Sequence, residues 1–152
     1  MLKKTVDGSS VWRKETSANT IIGILDSVYE FDQKFYKKYI NLHFSNHDLK
    51  LAKLNSAKGY KLDISKIKKS KNYYYQYLSE IPDSKIRWKR KKEFYLMGLV
   101  GFSRIYFDKE RKNGVLDFTM SCGQQCGMTA LVYLKNENGD WKVDEIESII
   151  EE

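Results

Sequence analysis

One proline, two cysteines, two histidines and five arginines are all that this 152-residue chain has of those residue types. A single proline and no low-complexity tract give no linker to divide the chain, so one domain spanning 1–152 is expected. Two cysteines and two histidines equal a four-ligand zinc set in number, but His43 and His47 stand far from Cys122 and Cys126 in the sequence, which argues against such a centre. The shortage of arginine matters because 22 lysines carry most of the positive charge. Arginine is the residue that reads phosphate and guanine bidentately, whereas lysine is a general surface cation. No apolar run approaches the ~20 residues of a membrane-spanning helix. Gly-rich phosphate loops, a nucleophilic serine elbow and the two-histidine metalloprotease helix are also missing.

What is present is ordinary for a folded globule: 41% hydrophobic and 31% charged residues, with 14% aromatic. Eleven tyrosines suit half-buried sheet faces and interfaces, because each brings a polar tip. The net charge of +7 points weakly to an acidic partner, since abundant lysine also follows from an AT-rich genome.

Along the chain, residues 1–16 are polar and read as loose. Ile21, Ile24, Val28, Phe31, Phe35, Tyr39 and Leu42 recur at helical spacing and predict a helix over 20–42, capped by Ser17 or Asn19. Ser45 to Asp48 resembles a capped helix start, although Leu49 and Leu51 alternate equally well as a strand. A further helix is predicted from Ile64 to about Glu80, with Ile64, Ile67, Tyr74, Leu78 and Ile81 on one side and Asp63 as its cap. Residues 17–81 are thus expected to be mainly helical. After Pro82 the pattern changes to alternation. Residues 85–89, 93–100, 102–107, 115–122, 128–135 and 141–145 read as strands, with turns at 108–114 and 136–140, giving an antiparallel meander over 84–146. The expected fold is α+β: N-terminal amphipathic helices packed on a C-terminal curved antiparallel sheet of four to five strands.

Cys122 and Cys126 flank a three-residue loop between two predicted strands, where a hairpin holds the Cα atoms within disulfide range. They are a disulfide candidate if the protein is exported, and two buried free thiols otherwise. The basic cluster Lys85 to Lys92 holds six cations around Trp88. It is either a lysine-guarded edge strand or a contact surface. Arg87, Trp88 and Arg90, with Tyr73 and Tyr75 from the tyrosine run at 73–77, are the candidate partner-binding residues. His43 and His47, four apart, read as surface or satisfied histidines, and Asp48 as a capping residue. Asp108, Glu110 and Asp117 are placed near strand ends and form no paired-carboxylate site. No catalytic residue, metal ligand or cofactor is expected.

Phe102-Ser103-Arg104-Ile105-Tyr106-Phe107-Asp108, then Cys122-Gly123-Gln124-Gln125-Cys126-Gly127, then Gly139-Asp140-Trp141-Lys142 form a C-terminal pattern. Over residues 100–145 it resembles that of small, largely uncharacterised bacterial domains, often secreted or lipoprotein-anchored. The closing Gly139 to Val143 segment is also similar to the last hairpin of nuclear-transport-factor-like and cystatin-like α+β folds. The resemblance implies export, periplasmic or lipoprotein-anchored in mature form, over a cytoplasmic location. It supplies no activity. The chain then reads as a non-enzymatic, bacterial protein-interaction domain, one version being an immunity-type protein that binds an acidic toxin. Two alternatives stand beside it. One is a nucleic-acid-binding module using residues 85–92. The other is a small ligand-binding or hydrolytic cone-shaped α+β domain with its pocket between the 20–42 helix and the sheet.

Overall fold

The structure, a computed structural model, describes residues 20–44, 60–82, 95–123 and 125–151. Its centre is one seven-stranded mixed sheet: β1 (Thr20–Ile24), β2 (Tyr74–Tyr77), β3 (Tyr95–Phe102), β4 (Tyr106–Phe107), β5 (Asn113–Gly123), β6 (Cys126–Glu137) and β7 (Asp140–Glu151). The hydrogen-bonded order is β2-β1-β3-β5-β6-β7, with β4 paired to β5. β1 runs parallel to both β2 and β3, while the β3–β5, β5–β6 and β6–β7 pairs are antiparallel.

This corrects the expected α+β arrangement of helices on a four- to five-stranded sheet. Among the described residues the chain is mostly strand and has one α-helix, α1 (Gln33–His43). The predicted 20–42 helix divides at Leu25. Its first part, Thr20-Ile21-Ile22-Gly23-Ile24, is β1, held between two parallel neighbours and buried on both faces, which is why almost every position is apolar. α1 begins only where Asp32 caps it, accepting hydrogen bonds from the N–H groups of Lys34 (3.1 Å) and Phe35 (3.0 Å). The predicted 64–80 helix does not form either. Two 3₁₀ turns, 64–66 and 78–80, bracket β2. In a strand successive side chains alternate, so Tyr73 is buried while Tyr74, expected on a core-facing side, is exposed. The predicted strand at 85–89 lies outside the described residues.

Gly23 shows how closely β1 is packed. A Cβ there would press on Leu99 Cδ2 and stand 2.7 Å from Ile81 Cδ1. Gly23→Val should therefore cost about 1–3 kcal/mol, read as a lowered urea midpoint, because the core has to shift to admit the methyls. An unchanged midpoint would show that both side chains simply turn aside.

Alternation along β5 and β6 builds two cores. On one face Leu116, Phe118, Met120, Ala130, Val132 and Leu134 join Ile22, Ile24, Val100 and Phe102, and Leu62, Ile64 and Ile67 cover them. On the other face Val115, Leu131 and Tyr133 pack against Phe31, Tyr36, Ile40 and Phe44 of α1 and its flanks. The connection from β1 to β2 thus covers one face as α1 and the opposite face as residues 60–67.

The β6–β7 hairpin turns on Asn138 and Gly139, whose φ angles of 56° and 96° are the positive values that a two-residue hairpin loop demands. The turn predicted from Asn113-Gly114 sits earlier. Asp108 accepts hydrogen bonds from Lys112 N, Asn113 N and Asn113 Nδ2, and Asn113 already belongs to β5. β7 ends the described sheet. It carries Asp140, Asp144, Glu145 and Glu147, and the register slips twice along its length, at Thr129/Ala130 and Tyr133/Leu134 of its partner. Charges and bulges of this kind keep an outer strand from pairing with another chain.

Candidate functional site

One alternative placed a ligand pocket between the 20–42 segment and the sheet; where α1 lies on the sheet, Phe31, Tyr36, Ile40 and Phe44 pack against Val115, Leu131 and Tyr133. Asp117 stands in the middle of β5, not near its end, and is buried. Tyr36 donates to its Oδ2 (2.5 Å) and Tyr29 to its Oδ1 (2.8 Å), and Ser103 Oγ accepts from the Asp117 N–H (2.8 Å). Tyr29 also reaches Thr119 Oγ1 at 3.4 Å. Burial, followed for Tyr36 by its hydrogen bond to the adjacent carboxylate, pushes both phenols well above the ordinary tyrosine range. Phenols so disfavoured as anions are donors, not bases. The cluster is a clamp that fixes α1 and the segment before it to the sheet.

A second clamp holds the end of α1. His43 stacks on Tyr133 with ring centroids 3.5 Å apart and planes 8° from parallel, and its Nδ1 lies 3.1 Å from Glu145 Oε2. Tyr133 in turn donates to Glu147 Oε2 at 2.8 Å, and burial raises its phenol too. His43 is thus a satisfied histidine that ties the helix to β7. His47 and Asp48 lie outside the described residues. Among the described residues no group of three or more His, Cys, Asp or Glu side chains is arranged to hold a metal, and no helix is long and apolar enough to cross a membrane.

Cys122 and Cys126 close the β5–β6 hairpin at disulfide distance, their Cα atoms 5.1 Å apart. The ladder slips between Ser121 and Gly123, so Cys122 is the extra residue of a bulge. Beside this hairpin, on the α1 side of the sheet, an open groove of about 470 Å³ is lined by Leu25, Leu99, Thr119, Ser121 and Thr129 among others, with no charged side chain.

Of the partner-binding residues expected from sequence, Arg87, Trp88 and Arg90 lie outside the described residues. Tyr73 is buried in the core and Tyr75 packs against it, their rings 5.6 Å apart edge to face. A different surface stands out. Phe35 and Leu42, 55% and 66% exposed, occupy positions i and i+7 of α1, with half-buried Tyr39 at i+4. These three form one stripe on the outer side of a helix whose inner side buries Tyr36 and Ile40. Lys38 and, further round the helix, Lys34, both exposed, flank it on one side. The sequence signal for this stripe was present: Phe35, Tyr39 and Leu42 belong to the periodic set of the predicted helix, but were assigned to its inner face.

No family model, curated protein or solved structure matches the chain.

Proposed function

We propose that this chain is a non-enzymatic protein-interaction domain whose docking surface is the outer face of α1, and whose partner offers an acidic, amphipathic element. The observation that carries the reading is the exposure of Phe35 and Leu42 on a helix that already has a buried face. Large apolar side chains aligned at helical spacing and left in water lower the free energy when a partner covers them. The lysines beside them select acidic flanks on that partner and speed encounter more than they add affinity. The reading includes the immunity-type role expected from sequence, with an acidic toxin as the partner. An exported location fits the cysteine pair, since a disulfide persists in oxidising compartments.

A synthetic helical peptide with leucines at i, i+3 and i+7 and glutamates alongside tests the surface by fluorescence anisotropy. Phe35→Ala with Leu42→Ala should weaken its binding tenfold or more, about 1.4 kcal/mol. Lys34→Glu with Lys38→Glu should slow association at low salt and have little effect at high salt. All four positions are exposed, so folding should survive, as circular dichroism would report. A peptide that fails to bind, or binds both variants as it binds the parent, removes the proposal. A second reading, nucleic-acid binding, draws on Tyr74, 63% exposed and preceded by the exposed Lys68, Lys69 and Lys71. Aromatic stacking beside cations suits single strands. A gel shift at low salt that disappears with Tyr74→Ala would favour it over peptide docking.

A further inference from the structure

The face of the sheet opposite α1 has an apolar pocket, partly open to solvent, under its cover. Residues 60–67 cross that face as a strap. Leu62 N donates to Asp26 O (2.8 Å), Val28 N donates to Tyr60 O (3.0 Å), and Tyr77 Oη donates to Leu62 O (2.5 Å). These bonds fix the strap's backbone, yet Leu62, Ile64 and Ile67 are only half-buried. Between them and Ile24, Phe102 and Leu116 a space of about 180 Å³ remains.

Its chemistry is one-sided. Of the ten lining residues only Asp63 and Ser103 are polar. The Asp63 carboxylate is occupied by Ser65 N (3.2 Å) and Ser65 Oγ (2.6 Å), and the Lys66 ammonium stands 3.5 Å away. Ser103 Oγ donates to Arg104 O (2.9 Å) and accepts from Asp117 N (2.8 Å). Every polar group of the wall is therefore engaged, and a water inside would find too few partners to replace those it leaves. Apolar cavities of about 150 Å³ stay dry and take up benzene or xenon. Apolar wall exposed in such a pocket is stabilised when a bound molecule takes it out of water, at roughly 25 cal/mol per Å².

We infer that the cavity under the 60–67 strap is a binding site for one small, uncharged apolar molecule of about the size of a single aromatic ring. The strap is the side through which it enters. Four hydrogen bonds and three half-buried side chains hold it, counting the longer Ile64 N to Tyr77 Oη contact at 3.4 Å. The wall facing it, Ile24, Phe102 and Leu116, belongs to the buried core. An anionic ring is excluded, because no free donor is left for it and the Asp63 carboxylate repels it; a cationic one finds the Asp63 oxygens already held by Ser65 and Lys66.

Benzene is the probe. Titrated into the folded chain, it should shift the methyl resonances of Ile24, Ile64, Ile67 and Leu116 in a saturable way. Ile40 and Leu131, across the sheet, should stay in place, and benzoate should shift none of them. Ile67→Phe fills the space and should abolish the benzene shifts, while raising Tm by about 2–4 °C for each kcal/mol regained. Should that variant not fold, Ile105→Phe fills the same cavity from the sheet side. Dissolved xenon, read by its own resonance, gives an independent measure on the unaltered protein. Lining methyls unmoved at saturating benzene, or shifts that persist in the filled variants, would overturn the assignment.

Discussion

Above pH 10 this protein should lose stability steeply, while between pH 7 and 9 its tyrosines should make stability nearly independent of pH. Tyr29, Tyr36 and Tyr133 all have phenols raised above their ordinary value of 10.0, in each case chiefly by burial. For Tyr36 and Tyr133 the hydrogen bond to a carboxylate, Asp117 or Glu147, comes next. The sign follows from proton counting. In the unfolded chain these phenols ionise near 10, whereas in the folded chain they stay protonated. The stability they contribute is fully present below pH 10. Above it the unfolded state binds fewer protons, so stability falls until the folded phenols also ionise. Each tyrosine that keeps its proton removes about 1.4 kcal/mol per pH unit. Because all three phenols stay protonated in the folded chain through this range, each contributes alike to the slope. Urea midpoints from pH 8 to 11, followed with tyrosinate absorbance, measure the slope. Tyr36→Phe and Tyr133→Phe should each flatten it by close to one proton. A slope that neither variant changes would mean these phenols ionise freely in the folded state.

The sequence was most legible where local chemistry decides the outcome. The Asn138-Gly139 hairpin, the strands on either side of the cysteines and the closeness of Cys122 to Cys126 all follow from turn residues and alternation. It was least legible in the first half, for a physical reason. Ile21, Ile24, Val28 and Phe31 fit helical spacing, yet a strand buried on both faces is apolar at nearly every position and so satisfies any period. Two signals favoured the strand: the β-branched run Thr20-Ile21-Ile22-Gly23-Ile24, and a glycine inside it. Asp32, a good cap, marked the real helix start. The parallel pairing of β1 with β2 and β3 left no local trace, because its partners are some 50 and 75 residues away. The tyrosine run misled in a similar way. As a strand, Tyr73 turns into the core, Tyr75 packs half-buried against it and Tyr74 faces outward, an alternation that a helical reading of the run does not give. Asp117 carried a readable clue, a carboxylate within Val115-Leu116-Asp117-Phe118, an apolar strand where an acid is kept only if partners await it.

Those partners set the second large effect. Asp117→Ala should destabilise the fold by about 2–4 kcal/mol, because it leaves the hydroxyls of Tyr29 and Tyr36 against the sheet without their acceptor. Asp117→Asn, which keeps one carbonyl acceptor, should cost about half as much. The decisive variant removes the whole cluster: Tyr29→Phe, Tyr36→Phe and Asp117→Val together replace donors and acceptor by apolar groups. It should recover most of the loss, since a buried polar network is costly when half satisfied and close to neutral when absent. Denaturant midpoints of the three variants order them directly, and a triple variant no better than Asp117→Ala would show that the cost lay in the carboxylate's own packing. The same experiment bears on function. Tyr36 sits on the inner side of α1 and Phe35 beside it on the outer side, so the Asp117 clamp sets how the proposed docking stripe is presented. Asp117→Ala should therefore weaken peptide capture even at temperatures where the sheet is intact, while the triple variant, with the helix seated again on an apolar floor, should restore it. Capture that follows overall stability in both variants would separate the clamp from the docking surface.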